Sequence, residues 1–130
     1  MRPPRALDLA DPSWGLTEEF DAIVAINVMH ASWEGAARAL FTHAAGALAG
    51  GGVVFVYGPY IYDDRPLEPS NASFDAHLKG RDPSFGIRRF AEVDGFAQSA
   101  GFELTEDRAM PSNNRAIWWT KGLDARSVRR

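Results

Sequence analysis

The chain has 130 residues, 45% of them hydrophobic, and a formal net charge of −3, values that fit a single soluble globular domain with its own core. This weakly acidic balance gives no general attraction to nucleic acid or to an anionic membrane surface. Cysteine is absent, which excludes disulfides, thiolate zinc sites and a cysteine nucleophile.

The first residues, Met1 to Arg5, are too short and polar a stretch for a signal peptide, and no apolar run approaches a membrane span. A cytoplasmic address is therefore expected. Ala6-Leu7-Asp8-Leu9 reads as a brief strand and Ala10 to Ser13 as a turn. Asp8 is either a site residue or a strand-end Asp bonding local backbone. Ala22 to Ile26 is an unbroken apolar run with the β-branched content of a strand buried on both faces. Polarity returns at Asn27 and His30. Ser32 is placed to cap a helix with Trp33 and Glu34 in its first turn.

Ala36, Leu40, Ala44 and Leu48 then recur every four residues, one face of an amphipathic helix, and Gly50-Gly51-Gly52 is expected to end it. A phosphate-cradling glycine loop follows a strand and opens a helix, so this triplet, which follows a helix, is not one. Val53 to Tyr57 is a second buried strand, closed by Gly58-Pro59. Two such strands joined by a helix make a βαβ unit, with a parallel pair and a right-handed crossover.

The stretch from Tyr60 to Gly86 is rich in Pro, Asp, Asn and Ser and too poor in apolar residues for another core layer. Within it Ser70 can cap a short helix, Ala72 to Lys79, stopped by Gly80. A polar excursion at the carboxyl edge of a parallel sheet predicts a lid or insertion over residues 60–87 of one domain; the alternative is an insertion without chemistry. From Arg88 a helical period returns through Phe90, Val93, Phe96 and Ala97, stopped by Gly101. Phe102 to Thr105 and Ala116 to Thr120 read as an antiparallel pair around the turn signal Ser112-Asn113-Asn114.

Ligands of an open parallel sheet bind outside the carboxyl ends of its strands, which places Asn27, Met29 and His30 at a candidate rim. His30 is the candidate base for an N–H or O–H proton; the alternative is a rim histidine that bonds a carbonyl or orients a neighbour. Trp33 and Tyr60, at predicted element ends, are candidates for stacking on a planar substrate. Asn71, Asp75, Arg81 and Asp82 in the excursion, with Asn113 and Asn114 in the last turn, are candidates for a polar collar; turn formation also explains the two asparagines. His30, His43 and His77 match no ligand spacing, so no metal is expected. No Gly-x-Ser-x-Gly elbow for serine hydrolysis occurs.

This order of elements resembles the second half of a class I S-adenosylmethionine-dependent methyltransferase. Phe20 to Val24, Gly51 to Pro59 and the terminal hairpin carry the likeness. Four further stretches, Ala25 to His30, Pro69 to Asp75, Arg81 to Arg88 and Met110 to Asn114, are similar to the methyltransferase-like protein 26 family, a domain of unknown function. The resemblance implies an α/β, Rossmann-like, mostly parallel sheet of which this chain supplies the third to seventh strands, with a C-terminal antiparallel hairpin. Ala6 to Leu9 would be the third. It also implies S-adenosylmethionine as cofactor, with Asp8 and Leu9 near the adenine and Asn27, Val28 and Met29 on the methionine side. The methyl acceptor would be a small molecule or another acceptor that the resemblance does not name. The family's first strand, Gly-rich loop and acidic residue after the second strand have no counterpart here. Two expectations follow: Ala22 to Ile26 is an edge open to self-association, and the competing reading is a non-catalytic fragment or interaction module.

Overall fold

The computed structural model describes residues 20–27, 29–32 and 35–122. The expected strand at Ala6 to Leu9, with Asp8, and the residues Val28, Trp33 and Glu34, lie outside them.

Strand β1 (Phe20–Ile26) leads through a 3-10 turn (Met29–Ala31) to helix α1 (Ala36–Ala47) and strand β2 (Leu48–Gly58). β1 and β2 pair in parallel, Ile23 against Val54 and Ala25 against Val56, as their continuous apolar runs require. The glycine triplet lies inside β2 rather than after the helix. Gly51 takes a φ of +85°, and the register with β1 shifts across this stretch, so the glycines absorb an irregularity at the strand's start. Helix α1 also starts later than expected. Its N-cap is Gly35, without a side-chain cap, and Ser32 lies three residues before it, its carbonyl accepting a bond from Arg88 Nη2 at 2.6 Å.

After Gly58-Pro59 the chain forms a short strand β3 (Tyr60–Ile61), helix α2 (Pro69–Arg81) and a short strand β4 (Arg88–Arg89). β3 and β4 pair in parallel, a ladder absent from the sequence expectations that pins both ends of the excursion together. Helix α2 is longer than the expected Ala72–Lys79 and is not capped by Ser70. Glu68 is the N-cap and Pro69 the first helical residue, where proline's fixed φ and missing N–H cost nothing. The helix runs through Gly80, helped by an Asp75–Lys79 ion pair of 2.9 Å one turn apart. It closes when the Asp82 N–H bonds the Leu78 carbonyl at 3.0 Å.

Helix α3 (Phe90–Ser99), strand β5 (Phe102–Met110) and strand β6 (Asn114–Lys121) complete the described chain. Gly101, at φ +92°, ends α3 as expected. β5 and β6 form the expected antiparallel hairpin, and β6 inserts between β2 and β5, so the sheet order is β1-β2-β6-β5. β2 and β6 are antiparallel. The sheet is therefore mixed, a correction to the mostly parallel expectation: the fold-back at the hairpin sends β6 against β2.

Helices α1 and α3 cover one face of the sheet. Leu40, Phe41, Ala44, Val93 and Ala97 meet Val54, Val56, Phe102, Ile117 and Trp119 in one core cluster. Trp119 is completely buried between Phe41, edge-on at 5.1 Å, and Phe90, stacked at 6.2 Å. Its indole N–H donates to Asp94 Oδ1 at 2.9 Å, so the one polar atom of the ring is satisfied. Alternate residues of β1 turn to the other face: Val24 and Ile26 are 59% and 57% exposed. Among the described residues β1 is an edge strand, and no helix there is long and apolar enough to cross a membrane.

Candidate functional site

The parallel strands β1 and β2 end side by side, and their exits build the site. The last rung is the Asn27 N–H to the Tyr57 carbonyl, 2.8 Å. Asn27 then takes a left-handed conformation, φ +54°, which asparagine tolerates better than most residues. The turn brings His30 over the end of β2. A Cβ on Gly58 would sit 3.3 Å from Asn27 Oδ1 and 3.6 Å from His30 Nδ1. Only glycine leaves that space open, and the +155° φ of Gly58 independently disfavours a side chain. Gly58→Ala is expected to cost about 1–3 kcal/mol in urea unfolding; a cost under about 0.5 kcal/mol, the scale of neutral surface changes, would contradict this packing.

His30 is 6% exposed and meets the Phe74 ring edge-on at 5.3 Å. Its carbonyl accepts the Gly86 N–H at 2.9 Å. Arg88, in β4, joins the same region, donating to the Ser32 and Ser84 carbonyls at 2.6 and 2.8 Å. Asp75 Oδ1 accepts the Ile87 N–H at 2.7 Å. The His30 backbone is thus tied to the segment after α2, and its ring packs on Phe74. Its pKa lies below the ordinary histidine value, first because burial penalises the charged ring and second because the Arg88 cation is near. At neutral pH the ring is uncharged.

The other end of α2 is tied to the β5–β6 turn. Asn71 Nδ2 donates to the Asn113 carbonyl and Asn113 Nδ2 to Ser70 Oγ, both at 3.1 Å. Ser112 and Asn113 hold φ values of +61° and +60° to present these groups. Of α2 only Asn71 and Leu78 are buried, so hydrogen bonds rather than apolar packing hold the helix over the sheet end.

Between these ties lies a hollow of about 620 Å³ lined by Asn27, His30, Pro59, Asn71, Phe74 and Asn114 among others. That volume is within the usual range of small-molecule sites. A smaller recess of about 150 Å³ continues past Asn71 and Asn114 to Tyr60, Tyr62, Arg65 and Arg115. There Tyr62 donates to Asp107 Oδ2 at 2.6 Å, and Arg115 Nε to Asp107 Oδ1 at 2.9 Å. Burial and then the Asp107 bond push the Tyr62 phenol well above its usual range.

Of the sequence candidates, Asn27, His30, Asn71 and Asn114 converge on the hollow, and Tyr60 and Asn113 line the recess. Tyr60, at the start of β3, is 4% exposed and belongs to the core cluster. Met29 lies in the turn beside His30. Asp75, Arg81 and Asp82 line neither cavity. Asp75 ties α2 to the Ile87 N–H, Arg81 is exposed at the end of α2, and Asp82 Oδ1 accepts from the Ser84 N–H and hydroxyl at 2.9 and 2.8 Å. Those two bonds hold the Asp82 carboxyl below the usual carboxylate range. Sequence reasoning did not place Phe74 and Gly58 in the site. For Gly58 the signal was present, since Gly-Pro ending a buried strand marks a special backbone.

The same fold occurs in solved methyltransferases. An O-methyltransferase family protein from Burkholderia thailandensis superposes with a TM-score of 0.75 at 19% identity, over 89% of this chain and 34% of that one. An O-methyltransferase family 2 protein from Planctomyces limnophilus, solved with apigenin, gives 0.70 at 21%, over 88% and 34%. Human N-acetylserotonin methyltransferase, solved with SAM, gives 0.68 at 21%, over 88% and 32%. The chain thus spans about a third of the length of these proteins and has part of their Rossmann-like fold. A family model described as "Protein of unknown function (DUF938)" matches residues 1–121, and the chain belongs to that family.

Proposed function

We propose that this chain contributes the acceptor-facing part of an S-adenosylmethionine-dependent methyltransferase, acting on a small molecule held under α2 and working in the cytoplasm. The observation that carries this reading is the convergence of Asn27 and the uncharged, buried His30 on the open Gly58 position, at the carboxyl ends of two parallel strands. That cradle, which a single Cβ would fill, fits the methionine end of the cofactor. Asn27 and the turn at Met29 would hold it, with Val28, Asp8 and Leu9 as the further contacts that the family resemblance implies. When bound, the cofactor supplies an electrophilic methyl group on a sulfonium.

The chain's own residues do the rest. His30 takes the proton of the acceptor's O–H or N–H group at an imidazole nitrogen, which its lowered pKa keeps free at neutral pH. Phe74 and Pro59 give the hollow its apolar lining. Asn71 and Asn114 line it opposite His30 and offer amide groups that orient the acceptor. Calorimetric titration of the chain with S-adenosylmethionine tests the reading. Saturable binding tighter than about 1 mM, −4.1 kcal/mol, is expected; no binding would refute cofactor use by this chain.

A second reading, an interaction module, draws on the exposed Val24 and Ile26 of edge strand β1. An apolar edge of this kind pairs readily with a second copy. On that reading sedimentation shows a dimer that Val24→Lys converts to monomer. A chain monomeric at high concentration would exclude it.

A further inference from the structure

The polar side of the hollow has a direction. Asn71 and Asn114 both line it, and each has its amide nitrogen committed to a backbone carbonyl. Asn71 Nδ2 donates to the Asn113 carbonyl at 3.1 Å, and Asn114 Nδ2 to the Pro111 carbonyl at 3.3 Å. A carbonyl only accepts, so neither amide can be turned end for end without losing its bond. Both Oδ1 atoms are left over, and among the described residues no group donates to either. Asn71 is only 8% exposed. Side-chain polar atoms so placed nearly always have a partner, so its bare oxygen marks a donor that a ligand supplies. Among the described residues the fully enclosed orphan is the Tyr60 hydroxyl; the Asn71 oxygen is not sealed off, so a ligand can reach it.

The rest of the lining sets the body and the charge of that ligand. Phe74 meets His30 edge-on at 5.3 Å and stays 38% exposed, which leaves part of its ring to pack on an occupant. Pro59 adds a second apolar surface, and Ser70 and Ser112 bring hydroxyls that serve as donor or acceptor. Among the described residues of the lining none is Asp, Glu, Lys or Arg. A carboxylate would set its oxygens against the two amide oxygens, with no donor between them. An ammonium would find acceptors but no opposite charge, and a charge taken out of water without one is costly. Uncharged N–H groups meet neither penalty, and an NH2 group carries two donors where a hydroxyl carries one.

We propose that Asn71 and Asn114 are the specificity-determining pair of the hollow. The molecule they select is uncharged and planar, packs on Phe74, and carries an amide or amino NH2 group, two donors for two oxygens. That NH2 group is the anchor; the nucleophile is the group that faces His30. Calling the molecule a methyl acceptor rests on the function proposed above; the donor-reading pair does not.

The test uses three probes of one shape, benzamide, acetophenone and benzoate, and follows amide shifts of the full 130-residue chain without cofactor. Acetophenone lacks the N–H donors of benzamide, and benzoate puts a charge in their place. Benzamide is expected to shift residues 70–74 and 112–114 saturably. Each of the other two is expected to bind at least about tenfold more weakly, the loss of two neutral hydrogen bonds. Asn114→Ala is expected to cut the preference for benzamide over acetophenone to about threefold, the share of the remaining bond. Phe74→Ala is expected to weaken both probes by one factor, since the ring packs on what they share. Acetophenone or benzoate binding as tightly as benzamide, an unaltered preference in Asn114→Ala, or no saturable shift with benzamide would each overturn the proposal. The comparison of probes in the unaltered chain decides the matter even where a variant fails to fold. Because neither cofactor nor methyl transfer enters, failure here leaves the cofactor titration standing, and failure of that titration leaves this result standing.

Discussion

Trp119→Ala is expected to leave the chain unfolded or molten at 37 °C. Trp119 is fully buried, joins β6 to α1 and α3 through Phe41 and Phe90, and places its indole N–H on Asp94. Deleting such a ring costs about 3–5 kcal/mol, and it also removes one of the two donors to Asp94, leaving Gln98. Domains of this size have only about 5–15 kcal/mol in hand. Near-ultraviolet circular dichroism and a urea melt report the outcome: lost tertiary signal, or a midpoint lowered by most of its value. Trp119→Phe, which keeps the stacking and loses the N–H, is expected to cost less. If Trp119→Ala melted like the unaltered chain, the account of the core would be wrong.

His30→Gln carries the second large effect, and it has two readouts. On the proposed methyltransferase reading, the loss of a general base is expected to slow transfer by about 10²–10⁴-fold. In the isolated chain the readout is stability against pH. The folded His30 has a pKa below the ordinary 6.5, so the unfolded chain binds the proton more readily. Stability from this group is complete above pH 6.5 and falls as the pH drops below it toward the folded pKa, by at most about 1.4 kcal/mol per pH unit. His30→Gln is expected to flatten that part of the pH–stability curve between pH 6.5 and 5. An unchanged slope would place His30 in a solvated setting and remove its role as a poised base.

The strands β1 and β2, their parallel pairing and the position of Asn27 and His30 at their ends were legible in the sequence. Continuous β-branched runs have few other structural solutions, and the ends of such strands are where ligands bind. The order in which β6 joins the sheet was not legible, because hairpin pairing is local while the choice of β2 as neighbour is tertiary. The caps failed for a related reason. Ser32 and Ser70 have capping side chains, but α1 starts only after Gly35 and Pro69 sets the N-cap of α2 at Glu68, two residues before Ser70. Asn71 could be picked from its polar run, yet its bond to Asn113 crosses 42 residues of chain. The Tyr62–Asp107 bond of the network behind the recess crosses 45 residues, and no pattern of spacing announces it.

The central claim is that one cradle, built by Asn27, His30 and Gly58 beneath α2, receives the methionine end of S-adenosylmethionine. An amide-shift titration of the chain with the cofactor maps this directly. The account predicts saturable shifts concentrated at residues 26–31 and 57–59, together with a change in the His30 imidazole resonances. Shifts confined to other surfaces, or none at cofactor concentrations above a millimolar, would contradict it.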